Sequence, residues 1–424
     1  MLDIKFIREN KQKIKTALKN RGKKADLDKL LKLDKERRTL IGKISATRVA
    51  QKNAGKDITK AKKLKSEIKK LEENLKTVEQ PFKIMLTAIP NVPSDDVPVG
   101  KDESINKELR KVGKPTKFDF KPKDHEELGK ALDIIDIERA TKISGSRFSY
   151  LKGGAASLQF ALIQYVYDLV ALQEEFVPII PPVIVKRETA AGSGHPEAVG
   201  DEAYHLDQDD MFLVGTSEQS ILPMYKNEIL KEESLPLRYL GYSSCFRREA
   251  GSYGKDVKGI IRQHQFDKLE MFVFCKPENS EREHKNLLRL EEELMKGLEL
   301  PYRVMLLSTG DLGFPSIKTY DIETWIPSQN TYRETHSTSN CTDYQTRSLN
   351  IKYRRSPVIA RSGAKRNDAA ISSKPSLQFV HALNGTAFAI GRTLVAILEN
   401  YQQKDGSIKV PKVLQKYCGF KVIK

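Results

Sequence analysis

An apolar repeat between positions 61 and 89 constrains the fold more than any other stretch of this 424-residue chain. Its members follow one another in alternating steps of four and three: Leu64, Ile68, Leu71, Leu75, Val78, Phe82, Met85 and Ile89. This spacing is typical of the a and d positions of a coiled coil, which place one apolar seam along a helix. The stretch is therefore predicted to be a long helix, and Pro81 is expected to kink it or open it locally without ending it.

A looser version of the same pattern precedes the repeat and predicts a partner helix. Its positions are Leu27, Leu30, Leu33, Arg37, Leu40 or Ile41, Ile44 and Arg48. The polar segment 53–57 separates the two runs and breaks both patterns. We therefore predict a long antiparallel α-helical coiled-coil arm, which forms a first domain of residues 1–100 together with its linker.

Positive charge is concentrated on the predicted arm. Residues 1–90 contain 21 Lys and 5 Arg against 11 Asp and Glu, so they carry +15 of the formal net charge of +17. A polyanion is expected to dock there. Two alternatives stay open at this point, because a solvated lysine-rich surface or a coiled coil that binds another protein would have the same composition.

Residues 90–100 contain three prolines and are predicted to be a linker. The remaining residues, 101–424, are numerous enough for a further domain with a sizeable core. Within it, an amphipathic helix over 156–175 leads into a strand over 177–185 that is apolar on both faces. A strand of this kind needs cover beyond its own sheet, which favours a homodimer built around the helix and the strand.

Two strands joined by a polar loop carry the most specific charge pattern. The first ends in Phe246-Arg247-Arg248-Glu249, the loop is 250–256, and the second strand contains Arg262-Gln263-His264-Gln265-Phe266-Asp267-Lys268-Leu269-Glu270. Because alternate residues of a strand share a face, one face is expected to present Arg247, Glu249, Arg262, His264, Phe266, Lys268 and Glu270. Guanidinium groups bind phosphates or carboxylates and an aromatic ring can stack on a base, so this face suits a nucleotide beside an amino acid.

Three further stretches place polar side chains at the ends of apolar strands. They are Thr216-Ser217-Glu218, Glu334-Thr335-His336-Ser337, and the run 383–392, which contains Asn384 and Thr386 and ends in Gly391-Arg392 before an amphipathic helix. The oxygens of Glu334 and Ser337 suit Mg²⁺ that bridges phosphates. The first two of these stretches, each taken alone, are more often strand-end caps than sites.

The helix and strand over 156–185, the strand pair over 246–270 and the run 383–392 resemble motifs 1, 2 and 3 of class II aminoacyl-tRNA synthetases. The basic arm, Asp124-His-x-Glu-Leu-Gly, Ser144-Gly-Ser-Arg-Phe, Thr309-Gly-Asp-Leu-Gly and Tyr320-Asp-Ile-Glu-Thr-Trp-Ile-Pro extend the resemblance to seryl-tRNA synthetases over nearly the whole chain. The resemblance implies an α+β fold, in which an antiparallel-sheet catalytic domain, 101–424, follows the arm. It also implies that the helix and strand over 156–185 supply much of a dimer interface.

The resemblance implies a function as well. The chain would use ATP to activate L-serine to seryl-adenylate and would transfer serine to the 3′ end of tRNA(Ser), whose long variable arm would bind the coiled-coil arm. Whether tRNA(Sec) is also charged is left open. ATP and Mg²⁺ would be needed, and zinc would not.

The roles of individual residues follow from the same resemblance. Arg247 would bind the α-phosphate and the serine carboxylate, and Arg392 the γ-phosphate, so both are expected to be catalytic. Glu249 would contact the adenine amino group, Phe266 would stack on adenine, and Glu270 would accept a hydrogen bond from the serine hydroxyl. The full ATP set is Arg247, Arg248, Glu249, Arg262, Gln263, Phe266, Glu334, Thr335, His336, Ser337 and Arg392. The serine set is Thr216, Ser217, Glu218, Arg247, Glu270, Asn384 and Thr386, and the Mg²⁺ ligands are Glu334 and Ser337.

Several positions depart from the usual pattern of the family. Thr216-Ser-Glu replaces Thr-Ala-Glu, and Gln345-Thr-Arg-Ser replaces Gln-Ala-Arg-Arg. Glu334-Thr-His-Ser replaces Glu-Ile-Ser-Ser or Glu-Val-Ser-Ser, and this change is expected to put a histidine beside the metal site. No partner is predicted for the basic residues of the 361–366 segment, namely Arg361, Lys365 and Arg366.

Cysteine usage and hydropathy bound the location of the protein. The four cysteines stand far apart without a Cys-x-x-Cys or Cys/His cluster, which argues against a disulfide framework and a zinc site and favours a reducing, cytoplasmic setting. The longest apolar runs, such as 176–185, are short and broken by prolines, so no membrane contact is expected.

Two rival functions are disfavoured. A threonyl, prolyl or glycyl enzyme would need more than the 32 residues after Arg392 for an anticodon-binding domain. A catalytically inactive RNA-binding relative would not be expected to keep all of Arg247, Glu249, Glu270, Glu334 and Arg392.

Overall fold

A computed structural model describes residues 1–55, 57–250, 258–356 and 376–424. The chain divides into two compact units, Met1–Val92 and Pro93–Lys424. The boundary lies inside the predicted linker, eight residues before position 100. Residues 94–100 go with the second unit because their backbone bonds to it: the Ser94 N–H donates to the Ile317 carbonyl and the Gly310 N–H to the Gly100 carbonyl, each at 2.9 Å.

The first unit is helical. Its helices are α1 (Ile4–Glu9), α2 (Lys11–Asn20), α3 (Leu27–Asn53) and α4 (Ile58–Thr87). The long pair α3 and α4 begins at aspartate caps, since Asp26 accepts from the Lys29 N–H and Asp57 from the Lys60 N–H, each at 2.9 Å. As expected, α4 continues through Pro81.

The α3–α4 pair confirms the predicted antiparallel coiled coil. Ile44 on α3 and Ile68 on α4 are buried. The two arginines at seam positions pair across the helices, with Arg37 Nε 3.2 Å from Glu79 Oε1 and Arg48 Nη2 2.6 Å from Glu72 Oε1. The charged groups of these arginines can reach the edge of the seam while their aliphatic stems cover it.

The second unit contains the remaining elements. Its described helices are α5 (His125–Ala131), α6 (Ile137–Ser144), α7 (Gly153–Val166), α8 (Arg187–Gly192), α9 (Glu218–Ile221), α10 (Ser280–Gly297), α11 (Tyr344–Leu349), α12 (Ile390–Asn400) and α13 (Lys412–Cys418). Its described strands are β1 (Lys107–Val112), β2 (Ile135–Asp136), β3 (Tyr150–Leu151), β4 (Val177–Ile179), β5 (Ile184–Lys186), β6 (Tyr204–Leu206), β7 (Met211–Leu213), β8 (Ile229–Lys231), β9 (Leu237–Phe246), β10 (Gln265–Cys275), β11 (Tyr302–Leu306), β12 (Lys318–Ile326), β13 (Thr331–Thr342), β14 (Lys352–Arg355), β15 (Ser376–Phe379), β16 (His381–Ala389), β17 (Ile408–Lys409) and β18 (Val422–Ile423).

An eight-stranded sheet in the order β1-β11-β12-β13-β16-β10-β9-β4 forms the centre of this unit. Every pair is antiparallel except β4 with β9. The main core lies between one face of the sheet and the apolar sides of α7, α10, α12 and α13. Along β10, Leu269 and Met271 face this core, so Lys268 and Glu270 face the opposite side, where the candidate site lies.

The prediction of a single strand over 177–185 is wrong, because the stretch does not form one continuous strand. It forms two short strands in different sheets: β4 pairs with β9 in the main sheet, and β5 pairs with β7 in a three-stranded sheet with β6. Pro181 and Pro182 stand between them, and neither has an N–H to continue a ladder.

The helix before β4 is long and apolar enough to span a membrane by length and composition. From the sequence, the apolar runs were expected to be too short for this. The helix comprises α7 and the π-helical turns Tyr167–Gln173, 21 residues in all with a mean hydropathy of 1.3 over its best window. One such helix is weak support for a span. Leu158, Leu162 and Val166 on its inner side are fully buried in the core.

Candidate active site

A cavity of about 1000 Å³ opens on the face of the sheet away from the main core. The strand register brings predicted residues together there, because Glu270 on β10 lies opposite Thr386 on β16, and Ser339 on β13 lies opposite Asn384. The predicted residues that line the cavity are Thr216, Glu218, Arg247, Glu249, Arg262, Gln263, Phe266, Glu270, Glu334, Thr335, Ser337, Asn384, Thr386 and Arg392.

Arginines and one ring form the first part of the cavity. The Arg247 guanidinium carbon lies 5.3 Å from the centre of the Phe266 ring, and Arg247 Nε donates to the Gly215 carbonyl at 3.1 Å. Arg262 Nη1 donates to Glu249 Oε2 at 2.7 Å. This part combines cations with an aromatic face, which suits a nucleotide.

Buried carboxylates form the second part. Glu270 is 1% exposed and pairs with Lys268, whose Nζ also donates to Thr216 Oγ1 at 3.3 Å. Burial raises the pKa of Glu270, although the Lys268 ammonium opposes the shift. A polar site of this kind, with one acidic group paired to a cation, can recognise a small ligand that carries a hydroxyl.

Glu218 lies in the same part of the cavity but in a different electrostatic setting. Gln345 Nε2 donates to Glu218 Oε1 at 2.5 Å, and His195 Nε2 is 3.3 Å from the same oxygen. Burial alone would raise the pKa of Glu218, but these contacts keep that pKa below its usual range. An ionised buried carboxylate suits an ammonium group.

The third part contains the proposed magnesium ligands. Arg392 Nη1 lies 3.2 Å from Glu334 Oε2 and donates to the Glu334 carbonyl at 3.0 Å. Ser337 lies opposite Asp321. The pKa of Asp321 is raised well above its usual value by burial and by the nearby Glu334. Asp321 Oδ1 is buried without a hydrogen-bond partner. An all-oxygen donor set with an unpartnered carboxylate oxygen fits Mg²⁺.

Within the described ranges, no group of three or more His, Cys, Asp or Glu side chains is arranged to hold a metal ion by itself. Magnesium would therefore need oxygens from a nucleotide to complete its coordination, as is usual for this ion.

Comparisons with known proteins agree with this geometry. Residues 1–93 match the family described as seryl-tRNA synthetase N-terminal domain, and residues 204–401 match the tRNA synthetase class II core domain (G, H, P, S and T). A serine–tRNA ligase from Thermodesulfovibrio yellowstonii is 45% identical, with each chain fully covered. The chain belongs to the seryl-tRNA synthetase family. The predicted α+β class II fold with its helical arm and the predicted enzyme class are thereby confirmed.

Two solved seryl-tRNA synthetases have the same fold. That from Pyrococcus horikoshii, complexed with ATP, has a TM-score of 0.88 and 39% identity, covering 100% of this chain and 99% of its own. The cytoplasmic serine–tRNA ligase from Naegleria fowleri, in complex with AMP, has a TM-score of 0.85 and 33% identity with the same coverage.

Three predicted residues lie outside the cavity lining of this seryl-tRNA synthetase family member. Ser217 is fully buried, beside Gly241 of β9. Arg248 turns away, with its guanidinium carbon 5.8 Å from the centre of the Tyr204 ring.

The third residue, His336, lies on the core face of β13, with its ring 5.5 Å from that of Phe388. Burial lowers the pKa of His336 to about 3, so the ring is neutral. The expectation that a histidine lies beside the metal site is therefore wrong. Thr335 reaches the cavity lining, but its hydroxyl bonds to Thr324 and His336 at 2.7 and 2.8 Å.

The predicted single face of the strand pair also needs correction. Arg247 and Glu249 follow the end of β9, and Glu249 has a φ of 51°, so strand alternation does not apply there. His264 precedes β10 and lies outside the cavity lining, where its Nδ1 donates to the Arg247 carbonyl at 3.0 Å. Most of the predicted loop 250–256 and the basic residues Arg361, Lys365 and Arg366 lie outside the described residues.

Three site residues were absent from the predicted sets. Lys268 was expected on the correct face but was given no role, although it contacts both Thr216 and Glu270. His195 and Gln345 fix Glu218. The alternation of β10 could have identified Lys268, whereas the other two come from distant parts of the chain and carry no local signal.

Proposed function

We propose that the chain activates L-serine with ATP to give seryl-adenylate and pyrophosphate, and then transfers serine to the 3′-terminal adenosine of tRNA(Ser). The observation that carries this proposal is that three groups of side chains, each suited to a different part of the substrates, line one cavity. Arg247 and Arg262 lie with Phe266 and Glu249 in one group, Glu218 and Glu270 belong to a second, and the Glu334–Arg392 pair forms a third.

The proposed chemistry is an in-line attack of the serine carboxylate on the α-phosphorus. No side chain is needed as a nucleophile, so the chain contributes positioning and fixed charge. Arg247 would contact the α-phosphate and the serine carboxylate, and Arg392, assisted by Arg262, would contact the γ-phosphate. When bound, Mg²⁺ at Glu334 and Ser337 would neutralise charge on the phosphates.

For serine, Glu218 would bind the ammonium group, because contacts with His195 and Gln345 lower its pKa. Glu270 would accept from the hydroxyl, with Thr216, Asn384 and Thr386 around it. Phe266 would stack on adenine, and Glu249 would accept from the adenine amino group.

The proposal extends to partners and location. The helical arm would bind tRNA through backbone phosphates, since residues 1–90 carry most of the net charge. A homodimer is supported by exposed apolar side chains on and after α7, where Phe160 is 68% exposed, Leu172 63% and Ile180 83%. The reducing setting suggested by cysteine usage favours the cytoplasm.

The test is amino-acid-dependent exchange of pyrophosphate into ATP with all twenty amino acids. Serine should support exchange well above every other amino acid, and the full chain should charge tRNA(Ser). Exchange that depends on another amino acid, or none at all, would contradict the proposed function.

A further inference from the structure

A buried histidine contacts the backbone just before the site residues Arg262 and Gln263. His125, at the start of α5, is 2% exposed, and its Nε2 accepts a hydrogen bond from the Ile260 N–H at 3.3 Å. Gly259 has a φ of 68°, and a Cβ there would lie 1.9 Å from His125 Nε2. The ring therefore packs directly on the backbone of residues 259 and 260, which leaves room only for glycine at 259.

Glu399, fully buried in the last turn of α12, fixes the tautomer of this ring. Its Oε1 accepts from His125 Nδ1 at 2.8 Å and from the His125 backbone N–H at 3.1 Å, and its Oε2 accepts from the Ser328 N–H at 3.0 Å. A backbone N–H can only donate, so His125 Nε2 must be the acceptor and Nδ1 must carry the proton. The ring is thus neutral and bonded at both nitrogens.

The same helix contacts Ile260 at its other end. Gly391, in the first turn of α12, approaches so closely that a Cβ there would lie 3.2 Å from the Ile260 carbonyl oxygen. Ile260, Gly391 and Arg392 all line the cavity. One helix therefore fixes the Ile260 peptide both through Glu399 and His125 and through direct packing.

The position of Ile260 in turn determines where the next residues lie. Arg262 Nη1 bonds to Glu249 Oε2 at 2.7 Å, and Gln263 Nε2 bonds to Ser149 Oγ at 2.6 Å. The neighbouring Lys258–Asp124 ion pair has an exposed lysine and adds little to this anchoring.

We propose that His125, held by Glu399, is a positioning residue for ATP, which presets the backbone at Ile260 so that Arg262 and Gln263 surround the nucleotide. This inference rests on the proposed function, since it assigns these residues to the ATP part of the cavity. His125 is not in the cavity lining, so it acts through the backbone. The effect of its loss should appear in ATP binding rather than in serine binding or in the rate at saturation.

The test compares variants at position 125 in pyrophosphate exchange, with ATP and serine titrated separately. His125→Asn keeps a donor for Glu399 but has no acceptor at the place of Nε2. Loss of this one hydrogen bond should raise the KM for ATP by about five- to tenfold. The KM for serine and kcat should stay within about twofold. His125→Gln, whose Oε1 can reach the Ile260 N–H, should restore the KM for ATP.

His284→Asn is the matched control. His284 is another fully buried histidine, on α10, with Nε2 3.0 Å from the Thr338 carbonyl oxygen and its ring 5.0 Å from that of Tyr320. It should lower the melting temperature while leaving the KM for ATP unchanged. If His125→Asn does not fold, Gly259→Ala decides the question, because its methyl group must displace the ring from the Ile260 N–H and should also raise the KM for ATP.

The outcomes separate this inference from the proposed function. A wild-type chain without serine-dependent exchange would refute the proposed function and the ATP role with it. An active wild-type chain whose His125→Asn and Gly259→Ala variants keep the wild-type KM for ATP would overturn the positioning role alone. So would an equal rise in the KM for serine, or a His125→Gln variant that behaves like His125→Asn.

Discussion

Replacing Glu270 by glutamine tests how the cavity would distinguish serine from alanine. The side chain is almost fully buried and pairs with Lys268, so a hydrogen bond from a serine hydroxyl to it would form in surroundings of low dielectric constant. A hydrogen bond to a charged group contributes about 1.5–3 kcal/mol, so kcat/KM for serine should fall by roughly tenfold to 150-fold. Alanine has no hydroxyl to lose, and its activation should change much less.

The measured quantity is the ratio of kcat/KM for serine to that for alanine, in pyrophosphate exchange at saturating ATP. A site that must satisfy a buried polar group can discriminate by roughly 10⁴-fold. The Glu270→Gln variant should reduce that discrimination by the factor lost for serine. The KM for ATP should be unchanged, because the Arg262–Glu249 and Arg392–Glu334 contacts do not involve Glu270.

A control separates recognition from charge balance, because Glu270 also neutralises Lys268. Lys268→Met removes the cation, and the double variant Glu270→Gln, Lys268→Met removes both charges. If Glu270 only balances Lys268, the double variant should regain the serine activity that the single variant lost. Such a recovery, or an unchanged serine to alanine ratio in Glu270→Gln, would refute the role in serine recognition.

Three further predictions concern the arm, the assembly and the core. Deleting residues 30–85 should leave serine-dependent pyrophosphate exchange intact but abolish tRNA charging, because phosphate contacts are lost while the cavity is untouched; unimpaired charging would assign the arm another partner. Light scattering at micromolar concentration should give twice the 48.1 kDa chain mass, and a monomeric mass would contradict the dimer. Glu291 is fully buried with both carboxyl oxygens unpartnered, and burial, with Glu270 and Asp321, raises its pKa well above the usual value. The folded chain therefore binds a proton that the unfolded chain releases above about pH 4.5, and stability falls as pH rises through that range. Glu291→Met should raise the melting temperature by about 2–4 °C, more at pH 8 than at pH 5, and a lower melting temperature at both values would contradict this reasoning.

Local periodicity predicted the arm correctly because its seam depends on neighbouring residues. The positions of Arg37 and Arg48 in the looser repeat were enough to place them at the interface with α4, where they pair with glutamates. The strand over 177–185 failed for the opposite reason. Its two halves pair with β9 and β7, and such partners are set by contacts far away in the sequence.

An irregularity in the sheet decides which side chains of the 334–337 stretch face the cavity. The register of β12 and β13 shifts between Ile322 and Glu323, so that Glu334 lies opposite Glu323 and His336 opposite Ile322. Thr335 is the extra residue of this bulge, and the side chains after it are displaced by one position. Regular strand alternation would put His336 on the same face as Glu334, whereas the structure puts it against Phe388.

The ion pairs of the cavity explain how so many charged side chains can lie close together there before substrates bind. Three ion pairs line the described cavity: Arg262 with Glu249, Arg392 with Glu334, and Lys268 with Glu270. Each of these cations therefore already has a carboxylate partner. When phosphates approach Arg262 and Arg392, we expect one anion to replace another, and the arginines lose little of their charge compensation. The released carboxylates are then available at the places where the proposal needs them, Glu249 for the adenine amino group and Glu334 for Mg²⁺. Fixed charges that exchange partners in this way need little reorganisation during the reaction, which is the condition under which they stabilise developing charge most effectively.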